Sequence, residues 1–270
     1  MSPYAAAPDE VRNRILAALP RNERERLNPV LERVPLTLRQ VVFEPNRAIE
    51  HVWFPEDAVI SLLGLMEDGS AVETATVGNE GMAGVPVYLG AMQMAGQAFV
   101  QIPGDAWRMP AEALREEVRR GNALSQLLGR YTQALFTLVS QSSACNRKHP
   151  VEQRCARWLL MTHDRVGGDR FELTQHFLSQ MLGVRRATVS EAAGGLQNRR
   201  LIEYTRGRIA VLDRAGLEAA ACGCYGIIRG EFARMLEGLE LPCVLDEINV
   251  SEAGRSVAGD GSPVVEDAPG

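Results

Sequence analysis

The spacing of apolar residues changes period along the chain, and each change marks a different kind of element. Residues 9–19 and 22–34 read as two short amphipathic helices, with Val11, Ile15, Leu16 and Leu19 on one face of the first. From Leu36 to Met109 the pattern becomes one of short β-rich runs, at 41–43, 52–54, 59–63, 72–77 and 99–102. Asp68-Gly69, Gly78-Asn79-Glu80-Gly81 and Pro103-Gly104-Asp105 separate these runs with turn chemistry. Many short strands at regular turn spacing predict a small antiparallel barrel or roll.

Helical periodicity then returns. Pro110 fits the first turn of a helix over 111–120 that stops at Gly121, and a longer helix follows over 122–146. Leu124, Tyr131, Leu138 and Cys145 recur every seven residues, with Leu127, Ala134 and Gln141 in the same repeat and Leu128, Leu135 and Ser142 beside them. Such a stripe suits a parallel helix pair, so Leu124, Leu127, Tyr131, Leu135 and Leu138 are the expected dimer seam. The competing reading is a helix packed on its own barrel. His149-Pro150 then breaks the chain before a helix over 151–165, with Val151, Cys155, Trp158, Leu159 and Thr162 inward.

Residues 173–202 carry the chemistry. A helix from the N-cap candidate Thr174 puts Phe177, Leu178 and Met181 on one face. After the turn Leu182-Gly183-Val184, a second helix buries Val189, Ala192, Ala193 and Leu196 and leaves Arg185, Arg186, Thr188 and Glu191 facing elsewhere. Two helices on a Gly-containing turn describe a helix-turn-helix, whose second helix fits the DNA major groove. There an arginine can read guanine with two hydrogen bonds. Strand patterns at 201–204 and 208–212 flank Thr205-Arg206-Gly207, a hairpin wing with Arg206 and Arg208 positioned for phosphates. A final helix is expected over 214–237, then an acidic, disordered tail over 240–270.

Composition narrows the alternatives. A net charge of −5 argues against a nonspecific nucleic-acid coat but not against a local basic face. The five cysteines have no regular spacing, which points away from a disulfide framework and toward a reducing cytoplasm. No apolar run is long enough to span a bilayer, and residues 1–10 lack a signal-peptide pattern. A cupin-type enzyme needs several ligands inside the barrel, yet His51 is the only histidine between 36 and 109. No nucleophile–base arrangement or phosphate loop occurs either, so an enzyme is not expected.

The order of elements resembles the Crp–Fnr superfamily of bacterial transcription regulators. The resemblance spans about residues 21–237 and is strongest at Leu173-Thr174, Leu178, Leu182-Gly183, Arg186, Thr188-Val189-Ser190, Leu196 and Leu201-Ile202. It implies an α+β chain with a cyclic-nucleotide-binding-like roll over 1–109, a dimerisation helix over 110–147 and a winged helix-turn-helix over 148–239. It also implies a homodimer that binds double-stranded DNA at a pseudo-palindromic operator and touches RNA polymerase. Arg186 matches a base-reading position, and Thr174, His176 and Thr188 match positions that contact phosphates or neighbouring bases; Arg185, Ser190 and Glu191 complete the expected DNA-binding set with the wing arginines. Ala187 and Glu191 depart from the family's usual Glu and Arg, so its familiar half-sites do not carry over. Arg200 stands where Gly is usual, in a left-handed helix end, and Gly194-Gly195 either loosens the C-terminal half of the recognition helix or fits close packing against Trp158.

The sensor half departs further from the pattern. Val85 replaces the ribose-binding Glu, and no arginine lies between Arg47 and Arg108 to pair a cyclic phosphate. Cyclic AMP is therefore not the expected signal. The first cysteine is Cys145, which removes an N-terminal iron–sulfur cluster; His51 alone is a weak haem ligand. Cys145, His149 and Cys155 could meet near the hinge, as could Cys222 and Cys224, but buried thiols acting as small hydrophobes are the default and no metal or cofactor is expected. A thiol-based redox regulator of the same fold, switching through Cys145 or Cys222, is the alternative.

Overall fold

Alternating burial along short strands builds the roll, and two caps fix where its helices begin. The computed structural model describes residues 11–237; the expected tail over 240–270 lies outside them. Asn13 caps α1 (Arg14–Ala17) through Oδ1, which accepts from the Leu16 amide, and its buried Nδ2 donates to the carbonyls of Pro55 and Gly81. The expected helix over 22–34 is shorter. α2 (Arg21–Leu27) gives way to a 3-10 turn at Asn28–Val30, and Glu32–Leu36 is strand β1. Pro29 cannot donate a helical hydrogen bond, and Pro35 is accommodated because β1 is an edge strand.

The remaining strands of the roll are β2 (Val41–Phe43), β3 (His51–Pro55), β4 (Val59–Leu65), β5 (Ala71–Val77), β6 (Gln97–Ile102) and β7 (Gly104–Pro110), with α3 (Val85–Tyr88) between β5 and β6. They form two antiparallel sheets, ordered β2-β6-β4-β5 and β1-β7-β3. Gly69, at φ 78°, makes the β4–β5 turn where Asp68 accepts from the Ser70 amide.

α4 (Ala111–Val118) leads to α5 (Ala123–Lys148), capped by Asn122, whose side chain accepts from the Ser125 amide. Here the structure corrects the dimer-seam expectation. Leu124, Leu127, Tyr131 and Leu138 are at most 1% exposed within this single chain, and Leu135 is half-buried. The four buried ones pack in the chain's own core with α1, α3 and the last helix and have no free surface for a second copy, whereas Leu135 keeps part of its side chain exposed. The large apolar side chains exposed on α5 are Phe136 and Val139, with Val139 one turn on from the half-buried Leu135.

α6 (Val151–His163), β8 (Arg170–Glu172), α7 (Gln175–Leu182), α8 (Arg186–Asn198), β9 (Ile202–Thr205) and β10 (Arg208–Val211) follow. The expected final helix is two: α9 (Arg214–Ala220) and α10 (Cys224–Arg234), interrupted at residues 221–223. Among the described residues, no helix is long and apolar enough to cross a membrane.

The C-terminal domain rests directly on the roll. Phe177 of α7 meets Phe99 of β6 edge-on at 5.6 Å between ring centroids. Trp158 Nε1 of α6 donates to Glu73 of β5 at 2.7 Å, and Glu73 also accepts from Ser61. Arg165, just after α6, forks onto Glu80 at 2.8–3.0 Å and donates to Thr76, with both members of the ion pair almost wholly buried. Burial pushes the Glu73 carboxyl up to about 7, against the opposing pull of its hydrogen bonds to Trp158 and Ser61 and of nearby Arg165 and Arg157. For Glu80 the adjacent Arg165 guanidinium overcomes desolvation and holds the carboxyl below its ordinary range.

Candidate nucleic-acid interface

Thr174 begins the site as the N-cap of α7, its hydroxyl accepting from the Phe177 amide at 3.2 Å. The helix ends at Gly183, whose left-handed φ of 61° lets the Val184 amide reach back to the Ser179 carbonyl at 3.1 Å. Arg154, buried in α6, donates to the Leu182 carbonyl and so secures the same turn. α8 then starts with Arg185 at its N-cap and buries Val189, Ala192, Ala193 and Leu196. This is the predicted pairing of helices.

Arg185, Arg186, Ser190 and Glu191 are exposed along the first turns of α8, and Thr188 is half-buried. Thr174 and His176 are exposed at the start of α7, next to them in space. Gln175 makes that link: its Oε1 accepts from Arg186 Nε at 3.4 Å and from Ser190 Oγ at 3.1 Å. Sequence reasoning missed Gln175, because a contact eleven and fifteen residues away has no local periodic signature. Neither Arg185 nor Arg186 makes an ion pair among the described residues. Both stand at the positive end of the helix dipole, where anions are favoured.

The wing is joined to the same surface. Arg206-Gly207, at φ 49° and 79°, forms the two-residue turn between β9 and β10 that suits twisted strands. The Leu173 amide donates to the Gly207 carbonyl at 2.7 Å, and Tyr204 Oη donates to the Leu173 carbonyl at 2.9 Å. Arg206 and Arg208 are exposed; Arg208 lies 3.6 Å from Glu172 in a solvated pair. Arg170 on β8 adds an exposed cation that the sequence reading did not single out. Between the wing and the roll loop carrying Arg39 runs a cleft of about 840 Å³.

Arg200 does adopt the left-handed conformation expected of it, at φ 57°. The two glycines of α8 differ from each other. A Cβ on Gly195 would meet Glu152 of α6 at 2.3 Å, whereas Gly194 has open space. Glu152 also accepts from Arg199 at 2.6 Å. Gly195 thus admits a carboxylate that anchors the end of α8; of the two readings of this pair, packing against Trp158 is replaced by packing against Glu152.

Residues 153–220 match the Crp-like helix-turn-helix domain. The chain carries a Crp-like helix-turn-helix. No curated protein matches it, but its fold is that of Crp/FNR regulators, a roll followed by a winged helix-turn-helix. FixK2 from Bradyrhizobium japonicum is 15% identical with a TM-score of 0.61, over 72% of this chain and 98% of that one. A Crp/FNR-family transcriptional regulator from Eubacterium rectale is 17% identical with a TM-score of 0.57, over 78% and 99%. A CRP-family regulator from Thermus thermophilus is 17% identical with a TM-score of 0.55, over 70% and 96%. At these identities the likeness is one of fold. The Crp-like domain contributes α6 to α9 and the wing, and its exposed Arg185 and Arg186 are the side chains that the fold presents outward.

Proposed function

We propose that this chain is a dimeric, sequence-specific DNA-binding transcription regulator of the Crp–Fnr type, and not an enzyme. It places α8 in the major groove and controls initiation through RNA polymerase in response to a signal other than cyclic AMP. The observation that carries this reading is the pair Arg185 and Arg186, exposed at the N-terminus of α8 and free of carboxylate partners among the described residues. Arg186 reads guanine, with Ser190 and Gln175 orienting it; Thr188 and Glu191 face the neighbouring bases. Arg185, Thr174, His176, Arg206 and Arg208 hold phosphates on either side.

In the dimer, two copies pair through the outward face of α5 around Phe136 and Val139 and present their α8 helices to half-sites one DNA turn apart, roughly 34–36 Å. Selection of bound duplexes from a random pool returns a pseudo-palindrome. Arg186→Ala then costs about 1–3 kcal/mol in a fluorescence-anisotropy titration and relaxes preference at one base pair per half-site. An unchanged preference would reassign the reading face of α8.

The thiol-switch alternative draws on Cys145 and Cys222, whose sulfurs lie 3.4 Å apart. Cys155 is wholly buried, as Cys145 is, and burial pushes its thiol up to about 12, which suppresses the reactive thiolate.

A further inference from the structure

Four potential metal ligands from distant parts of the sequence meet where α5 ends. Cys145 and His149 are one helical turn apart on its last turn, and the His149 amide donates to the Cys145 carbonyl at 3.0 Å. Cys222 and Cys224 flank Gly223 at the break between α9 and α10. One donor atom from each of the four lies within 4.8 Å of the other three. Cys145 Sγ is 3.4 Å from Cys222 Sγ, and Cys224 Sγ is 3.5 Å from His149 Nδ1. A tetrahedral zinc with bonds of about 2.3 Å to sulfur and about 2.0–2.1 Å to nitrogen separates its ligands by about 3.5–3.8 Å. The donors already stand near that spacing.

Two further features separate this cluster from ordinary buried thiols. Cys145, Cys222 and Cys224 pack on one another as a group apart from the main hydrophobic core. Arg154 and Arg157 of α6 are also buried, within electrostatic reach of the sulfurs and without an ion pair among the described residues. Among the described residues the Nε of each lacks a hydrogen-bond partner, although Arg157 also influences Glu73. Buried cations of this kind require negative charge nearby. Zinc with three thiolates and one neutral imidazole carries a single net negative charge, which these arginines complement.

We propose that Cys145, His149, Cys222 and Cys224 form a structural zinc site, with the metal bound by three sulfurs and His149 Nδ1. The three sulfurs bind as thiolates, so whatever thiol protons they still carry pass to solvent, and no oxidation state changes. The metal ties the α9–α10 junction to the end of α5, beside the His149-Pro150 hinge through which the Crp-like domain joins the rest of the chain. Gln141, which donates to Cys224 Sγ at 3.1 Å, is the supporting hydrogen bond to that sulfur.

The test uses the full chain, stripped of metal under reductant and titrated with Co²⁺ and then Zn²⁺. The expected result is one cobalt per chain, the intense visible ligand-field bands of a tetrahedral centre, and a near-ultraviolet sulfur-to-cobalt charge-transfer band, all erased by zinc. The unfolding midpoint should rise with zinc concentration. Cys224→Ser and His149→Ala should each weaken zinc binding at least about tenfold, whereas Cys155→Ser should leave it unchanged. A folded, reduced wild-type chain that takes up no cobalt, or gives only a weak octahedral spectrum, overturns the site whatever the variants do. So does a Cys145–Cys222 disulfide that forms unimpeded in excess zinc. DNA binding is measured on the same samples, so loss of the metal site and loss of the regulatory reading are separable.

Discussion

Single side chains at the interface divide by whether the fold leaves them a competing partner. Arg186 donates from its guanidinium to Gln175 and has no carboxylate partner among the described residues, whereas Arg208 faces Glu172 across a solvated 3.6 Å gap. Exposed pairs of that kind contribute little, so Arg208 exchanges Glu172 for a phosphate at small cost. Arg208→Ala should weaken binding to all duplexes similarly and lower the slope of log affinity against log salt by about one. Titrations at several salt concentrations, on operator and random DNA, check both parts. Glu73 offers a test inside the molecule. Its carboxyl holds a proton in the folded protein from about pH 4.5 to about 7, a window in which the unfolded chain has lost it. The unfolded state then gains relative stability as pH rises. Stability should therefore fall through that window, and Glu73→Gln, which keeps a neutral group, should flatten the decline in thermal unfolding scans. A wild-type curve parallel to that of the variant would show that the carboxyl ionises freely in the folded state.

At the level of elements, α5 separates two readings of one heptad. Its apolar repeat was legible in the sequence, but a repeat does not specify which surface it meets. The roll, α1 and α10 take the stripe of Leu124, Leu127, Tyr131 and Leu138, leaving Phe136 and Val139 outside. Phe136→Glu with Val139→Glu should give a folded monomer that loses specific DNA binding, as read by sedimentation and anisotropy. Truncating Leu124 and Leu138 to Ala should instead destabilise the fold, by about 2–5 kcal/mol each. The opposite pattern would restore the original seam. The break between α9 and α10 has a comparable lesson. In a continuous helix, Cys222 and Cys224 would point about 200° apart and could not share one partner. Ending α9 at Ala220 and restarting at Cys224 turns both sulfurs toward Cys145 and His149.

The described residues of the whole molecule belong to one compact unit in which the Crp-like domain and the roll share buried polar contacts. In the sensor half, the loop after β5 is pressed against α5: a Cβ on Gly81 would lie 2.3–2.4 Å from the Tyr131 ring. Gly81, four residues before the Val85 that replaces the ribose-binding Glu, is thus engaged with α5, and the sequence provides no arginine for the phosphate. Calorimetric titration with cyclic AMP should detect no micromolar binding; a micromolar dissociation constant would refute this reading of the roll.

The sequence alone determined the broad succession of roll, long helix and winged helix-turn-helix and the cations on that last element, but not β1, α3, β7 or the break between α9 and α10. The features it determined depend on local matters: the period of apolar positions, a capping Thr174, and Gly183 with its left-handed turn. Tertiary structure alone decided what each face meets. It turned the heptad of α5 inward, gave Gly195 to Glu152 and Gln175 to Arg186, buried Arg165 on Glu80, and brought Cys145 and His149 at the end of α5 together with Cys222 and Cys224 at the break between α9 and α10. Those outcomes depend on contacts between residues far apart in the chain, for which local periodicity carries no register.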